Sequence, residues 1–169
     1  ASPYPSTPPT DPRQRELAFW QAQRAGMDAM KVRGDNAGAI PHFRQAILLN
    51  PKHEDSRYYL GLCLASLGRT DDALQALAGL QQLNPQSHRA WQQWGVVRAL
   101  AATSDAELAA AEQALDRAHT LNPEETGALL LLGEIALLRG QPSLAAKRLA
   151  AATHTNHRAA GGFFLRGYL

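Results

Sequence analysis

The feature of this sequence that most limits its fold is a set of residues recurring together at one irregular interval. Asparagine is followed by proline or histidine at Asn50, Asn84, Asn122 and Asn156, with spacings of 34, 38 and 34 residues. The same spacings separate two further sets, which are Gly61, Gly95, Gly133 and Gly167 and Ala39, Ala73, Ala111 and Ala145. Because unrelated residue types share this irregular pitch, the sequence predicts a chain built from one repeated unit.

Each repeat has the pattern of two helices. In the second repeat, apolar residues at helical spacing stop at Gly68, and a further helix runs up to the next Asn-Pro pair. The fourth repeat has Gly140 as the stop and Pro142 in the first turn of its second helix, where proline is tolerated. In the first repeat, Pro41 falls inside the second helix and should bend it or delay its start. Alanine and leucine make up about a third of the chain, which favours helices.

Glycines inside these helices need a reason, because each costs about 1 kcal/mol relative to alanine. Gly61 and Gly95 are expected where a second helix approaches closely, with Leu77 and Leu115 filling the space opposite.

Two repeats depart from the pattern. In the first, Gly26 and Met27 compete for the glycine position, so the first helix has two alternative registers one residue apart. The third repeat carries four extra residues, which we place between its helices in segment 101–104. Ser104 and Glu107 have the spacing of a capping box that opens the next helix.

Together these residues resemble the tetratricopeptide-repeat family. The second repeat shows the family pattern as Leu60, Gly61, Gly68, Ala73, Leu77 and Pro85, and the third as Trp91, Trp94, Gly95, Ala111, Leu115, Ala118 and Pro123. The resemblance covers residues 16–157, in repeats of about 16–51, 52–85, 86–123 and 124–157. It implies an all-α fold, a right-handed superhelical solenoid of antiparallel helix pairs whose concave face holds a peptide or a partner helix.

Both ends of the chain lie outside these repeats. Residues 1–15 are expected to form an extended arm or linker, since five of the ten prolines lie within the first fourteen residues. Residues 158–169 continue the repeat with Phe163 and Gly167 and predict the first part of a fifth, terminal helix. An apolar end of this kind suits a segment of a longer protein, or packing against a second copy. The arm resembles linkers that follow bacterial export signals, so a periplasmic or secreted location is expected, with a cytoplasmic one left open.

The resemblance also implies which residues line the concave face, because the first helix of each repeat lines it in this family. The matching positions are Gln21, Arg24, Asp28 and Lys31 in the first repeat, Asp55, Tyr58 and Leu62 in the second, Arg89, Gln92 and Val96 in the third, and Leu130 and Glu134 in the fourth. Such a mixture of aromatic, apolar, charged and amide groups is typical of a peptide groove. The alternative for each residue is a place on a solvated helix surface.

Other kinds of chemistry find little support in the sequence. The net charge is only +2, so nucleic acid is not an expected partner, and the longest apolar run, 128–132, is too short for membrane insertion. The single cysteine, Cys63, excludes an internal disulfide and a zinc site of several cysteines. His154 and His157 could share a metal, yet no carboxylate or cysteine stands near them in the sequence. We therefore expect no metal, no cofactor and no catalytic activity.

The leading hypothesis is a noncatalytic protein-protein interaction scaffold, part of a larger bacterial assembly or envelope protein. A second hypothesis is self-association as a homodimer through the terminal helix or the proline-rich arm. A third is a repeat region that positions substrate for an enzyme whose catalytic domain lies outside this chain.

Overall fold

The structure, a computed structural model, describes Tyr4 and residues 7–155, and within them it contains eight α-helices and no strand. The helices are α1 Pro12–Met27, α2 Asn36–Leu49, α3 Glu54–Ser66, α4 Thr70–Leu83, α5 His88–Ala101, α6 Asp105–Leu121, α7 Gly127–Leu138 and α8 Pro142–Thr155. The fold is all-α and belongs to the helical-repeat solenoid class, which confirms the predicted fold class. The chain divides into two compact units, residues 1–85 (unit 1, with α1–α4) and residues 86–169 (unit 2, with α5–α8).

The recurring glycines mark the places where the two helices of a repeat come closest. A Cβ atom built on Gly61 would lie 2.8 Å from Cγ of Leu77, which is fully buried. The corresponding distance from Gly95 to Cγ of Leu115 is 2.7 Å. The predicted steric role of these glycines is therefore confirmed, because a larger residue would collide with the leucine opposite.

The first helix begins earlier than the sequence predicted. The arm was expected to extend through residue 15, but α1 starts at Pro12. Asp11 caps it by accepting a hydrogen bond from the backbone N–H of Arg13 at 3.1 Å, and proline in the first helical turn lacks only an N–H that has no partner there. Before the helix, the Tyr4 hydroxyl lies 2.6 Å from Nδ1 of His42 on α2.

A π-helical turn, Asp28–Val32, continues α1 and explains the irregular first repeat. A Cβ built on Gly26 would lie 2.8 Å from Cε1 of Phe43, so Gly26 and not Met27 occupies the glycine position. From this glycine to the repeat alanine, the first repeat is one residue longer than the second. A π-helical turn accommodates one extra residue within a continuous helix, which keeps the packing on both sides of it.

The four extra residues of the third repeat lengthen its helices and not the loop between them. α6 spans 17 residues where α4 spans 14, and α5 spans 14 where α3 spans 13. The expectation that segment 101–104 forms an enlarged connection is therefore wrong, since the added residues gain helical hydrogen bonds. Ser104 caps α6 as predicted, accepting a hydrogen bond from the N–H of Glu107 at 3.3 Å.

The predicted helix stops are confirmed, and of the two effects predicted for Pro41 the delayed start is wrong. Gly68 and Gly140 follow the first helices of their repeats with φ of +70° and +68°, a conformation that favours glycine. α2 starts at Asn36, before Pro41, so this proline does not delay the helix. Asp35 caps α2 by accepting a hydrogen bond from the N–H of Gly38 at 2.7 Å.

Unit 2 combines an apolar core with a network of ion pairs. Leu115, Leu132 and Leu149 are fully or almost fully buried between its helices. The Glu112 carboxylate on α6 lies 2.7 Å from Nη1 of Arg139 and 2.6 Å from Nη1 of Arg148. These contacts tie α6 to the end of α7 and to α8.

Candidate partner-binding surfaces

Each unit contains the first helices of two repeats. The accessible residues of these two helices form one surface in each unit, which we name by its helices. The α1–α3 surface of unit 1 contains Trp20, Arg24, Lys31, Asp55, Tyr58 and Leu62. The α5–α7 surface of unit 2 contains Arg89, Gln92, Val96, Leu100, Leu130, Glu134 and Leu138.

The register found for α1 changes which of its residues occupy the predicted lining positions. With Gly26 in the glycine position, the positions equivalent to Asp55 and Tyr58 are Trp20 and Gln23. The predicted set of Gln21, Arg24 and Asp28 is thus one residue out of register. Trp20 has 54% of its surface exposed and is absent from the predicted set. Trp20 stands six residues before Gly26, as Asp55 stands six before Gly61, so a repeat glycine at residue 26 identifies Trp20 as a lining residue.

Gln23 is held inside unit 1 and is not available to a ligand. The Ser56 hydroxyl donates a hydrogen bond to its Oε1 at 2.7 Å, and Nδ1 of His53 lies 2.8 Å from the same hydroxyl. The N–H of Ser56 also donates to Nδ1 of His53 at 3.2 Å, so His53 caps α3. The His53 ring packs edge-on against Phe19 at 4.8 Å. This polar group therefore fixes α1 against α3.

The other predicted residues of α1 and its π-helical turn are exposed. Asp28 pairs with Arg33, with Oδ2 3.2 Å from Nε. The Lys31 ammonium lies 5.0 Å from the ring centroid of Tyr59 on α3. That ring stacks at 5.7 Å on buried Phe43. Lys31 thus joins the α3 side of the surface, whereas Asp28 does not.

On α3, the predicted residues Asp55, Tyr58 and Leu62 are all half-buried, so each leaves part of its side chain accessible. The Tyr58 ring packs edge-on against Tyr59 at 5.5 Å. Aromatic rings held by their neighbours lose little conformational freedom on binding, which suits them to contact a partner.

In unit 2, the α5–α7 surface is more apolar than predicted. Val96 and Leu130 are half-buried, and Glu134 is exposed. Two leucines that the sequence analysis missed follow one turn later, with exposed fractions of 84% for Leu100 and 75% for Leu138. They stand four residues after Val96 and Glu134, so helical spacing places them on the same helix faces as these predicted residues.

Gln92 and the tryptophans of α5 have partly structural roles. A Cβ built on Gly127 would lie 2.6 Å from Nε2 of Gln92, so the Gln92 side chain lies against the start of α7. Trp91 packs on the core of unit 2, whereas the Trp94 ring lies 5.6 Å from the Arg98 guanidinium. Arg89 is exposed and, like Trp91, makes further contacts within the structure.

Residues 33–93 match the family described as Tetratricopeptide repeat. Those residues belong to the tetratricopeptide-repeat family. A search of curated protein sequences found no match.

Solved structures of the same fold resemble this chain over most of its length. A crystal structure of MamA is 18% identical, covers 88% of each chain and has a TM-score of 0.75. YrrB, described as a TPR protein with an unusual peptide-binding site, is 19% identical over 92% of this chain and 77% of its own, with a TM-score of 0.74. A thermophilic TPR protein of Thermus thermophilus is 20% identical over 82% of this chain and 75% of its own, with a TM-score of 0.70. At these identities the likeness establishes the fold.

In the described part of the chain, the one cysteine is buried and the candidate metal ligands are dispersed. Cys63 is buried, and burial raises the pKa of its thiol to about 11, so the sulfur stays protonated near neutral pH. Among residues 7–155 and Tyr4, no three His, Cys, Asp or Glu side chains are grouped to hold a metal ion. His157, one of the two histidines weighed for a metal, lies outside the described residues. None of the described helices has both the length and the hydrophobicity required to cross a membrane.

Proposed function

We propose that this chain is a noncatalytic protein-interaction scaffold that binds a peptide or an exposed segment of a partner protein on its first-helix surfaces. The proposal includes a place in a larger bacterial assembly. A protein-interaction scaffold is the function most consistent with the tetratricopeptide-repeat fold, and YrrB, one structural neighbour, is described as having a peptide-binding site.

The observation that carries the proposal is the pair Leu100 and Leu138. Each occupies the same position of its repeat, five residues after the repeat glycine, and each is mostly exposed. Single exposed leucines are common on protein surfaces and need no explanation. Two at equivalent positions of successive repeats, beside half-buried Val96 and Leu130, instead form an apolar surface suited to a partner's apolar side chains.

The test uses a phage library of random dodecapeptides panned against the immobilised full-length chain. Peptides that enrich are synthesised with a fluorescent label, and their affinities are measured by anisotropy. We expect a set of these peptides to lose about tenfold or more in affinity for the Leu100→Ser/Leu138→Ser double variant, since buried apolar anchors dominate such interfaces. Leu83→Ser is the matched control, because Leu83 is also an exposed leucine but lies on a second helix.

Two results would contradict the proposal. One is a library in which no peptide enriches above the bare support. The other is sedimentation that shows a concentration-dependent increase in mass for the native chain and none for the double variant, since these leucines would then contact a second copy.

A further inference from the structure

Unit 1 contains a cavity of about 300 Å³ at the start of α1 that the family resemblance does not assign. Its apolar walls are Pro12, Phe19, Trp20 and Leu49. Phe19 and Leu49 are buried, whereas Trp20 is half exposed at the edge. A volume at the lower end of the range for ligand pockets suits one or two side chains of a bound peptide and not a whole cofactor.

Two charged side chains line this cavity, and only one of them is available to a partner. The Arg15 guanidinium is occupied, because its Nε donates to the carbonyl oxygen of Leu49 at 2.9 Å and its Nη2 to that of Leu48 at 3.3 Å. These carbonyls form the negative end of α2, which offsets the arginine charge. The Glu16 carboxylate also lines the cavity, is exposed, and has no ion pair or hydrogen bond with any described residue.

Glu16 precedes Trp20 by one helical turn, so the carboxylate and the indole lie on the same side of α1. A carboxylate beside an exposed indole is complementary to a lysine or arginine side chain, which can pair with the acid while its cation contacts the ring. The apolar walls, in contrast, are complementary to a leucine or an aromatic side chain.

We propose that this cavity binds a peptide segment in which a large apolar side chain lies next to a lysine or arginine. The apolar side chain packs between Phe19 and Leu49, and the basic side chain pairs with Glu16 over the Trp20 ring. This inference rests on the proposed function, because it names the partner chemistry for a cavity that meets the α1–α3 surface at Trp20.

The peptides enriched on the full-length chain test the inference directly. We expect a group of them to contain leucine, phenylalanine, tyrosine or tryptophan within two positions of lysine or arginine. For this group, Trp20→Ala should weaken binding about tenfold or more, as for tryptophan anchors that a partner covers at an interface. Glu16→Gln should weaken it about two- to fivefold, the range for one exposed ion pair with a cation-π contact, and Glu16→Lys should weaken it further.

Matched controls are Glu124→Lys, which makes the same charge change at an exposed site in unit 2, and Leu83→Ala on α4. Circular dichroism melts of Trp20→Ala establish that the variant is folded.

Peptides whose affinity depends on Leu100 and Leu138 but not on Trp20 or Glu16 would overturn this inference and leave the proposed function standing. Enriched peptides that need Trp20 but lack basic residues would overturn the assigned chemistry. A library with no enrichment would overturn both proposals.

Discussion

Replacing Gly61 by alanine tests how tightly the two helices of the second repeat pack. The new Cβ would lie 2.8 Å from Cγ and 2.9 Å from Cδ2 of Leu77, which is fully buried and has no solvent to move into. Overpacking of this kind costs about 1–3 kcal/mol. Alanine regains about 1 kcal/mol of helix propensity relative to glycine. We therefore expect a net loss of about 0–2 kcal/mol from the free energy of unfolding.

The same substitution at Gly79 provides the control. Gly79 lies inside α4, but a Cβ built there meets only Nη1 of Arg57, the end of a flexible side chain, at 3.4 Å. The helix-propensity gain of about 1 kcal/mol should then appear without the steric cost. Because the propensity gain is common to both variants, their difference of about 1–3 kcal/mol measures the collision with Leu77 alone.

Urea unfolding followed by far-UV circular dichroism measures both variants, and hydrogen exchange of α3 and α4 amides gives a local readout. Combining Gly61→Ala with Leu77→Ala should remove the penalty, because the shortened side chain leaves room for the new methyl group. Leu77→Ala alone should cost about 2–5 kcal/mol, and the two changes should show strong coupling. Equal stabilisation by Gly61→Ala and Gly79→Ala would refute the steric explanation of the repeat glycine.

Three further outcomes follow from the described contacts. Cys63 should resist a thiol reagent in the native chain and react quickly in urea, since burial raises its pKa to about 11; fast native labelling would contradict this. The backbone N–H of Thr103, and after it the Thr103 hydroxyl, donate hydrogen bonds to the Glu107 carboxylate and lower its pKa below the ordinary value of 4.5. The stability that Glu107 contributes is therefore present above pH 4.5 and is lost as the pH falls through the lowered pKa. Glu107→Gln should therefore flatten the acid side of the profile of stability against pH, measured by thermal melts. An unchanged profile would contradict the hydrogen bonds assigned to the Glu107 carboxylate. Glu112→Ala should lower the free energy of unfolding of unit 2 by about 1–3 kcal/mol, between the values for exposed and buried ion pairs, because Arg139 and Arg148 each lose one of their ion pairs. Urea unfolding of Glu124→Ala, an exposed site, provides its control.

The repeat spacing was sufficient to predict the helix pairs and their tightest contacts. Gly61 stands 16 residues before Leu77 and Gly95 stands 20 before Leu115, a difference equal to the four extra residues of the third repeat, so the repeat pattern identifies both collision partners. Steric exclusion acts at fixed positions of each repeat, so it leaves a periodic trace in the sequence.

Features that depend on local competition could not be predicted in this way. Pro12 starts a helix because Asp11 caps it, although the surrounding composition favours an extended arm. The extra residues before Ala111 extend α6 because each gains a helical hydrogen bond. Neither outcome has a periodic signature.

The candidate partner-binding surfaces were predicted less completely than the core. Leu100 and Leu138 stand at helical spacing from predicted residues, yet exposure depends on what packs nearby and not on residue type. Trp20 was missed because the register of α1 was left open between Gly26 and Met27. Glu16 and the cavity beside it involve the end of α2, a juxtaposition that no single-helix pattern contains.

The π-helical turn at Asp28–Val32 has a consequence for how such chains tolerate insertions during evolution. One added amino acid there rotates the side chains that follow around the helix axis. The positions that face the solvent therefore shift by one residue across the turn, while the buried contacts on both sides of it stay intact. Insertions of this size can therefore change which side chains of a repeat are exposed, at almost no cost to the packing of its helices. Aligning repeats by a constant period would assign the wrong residues to the outside wherever such a turn occurs.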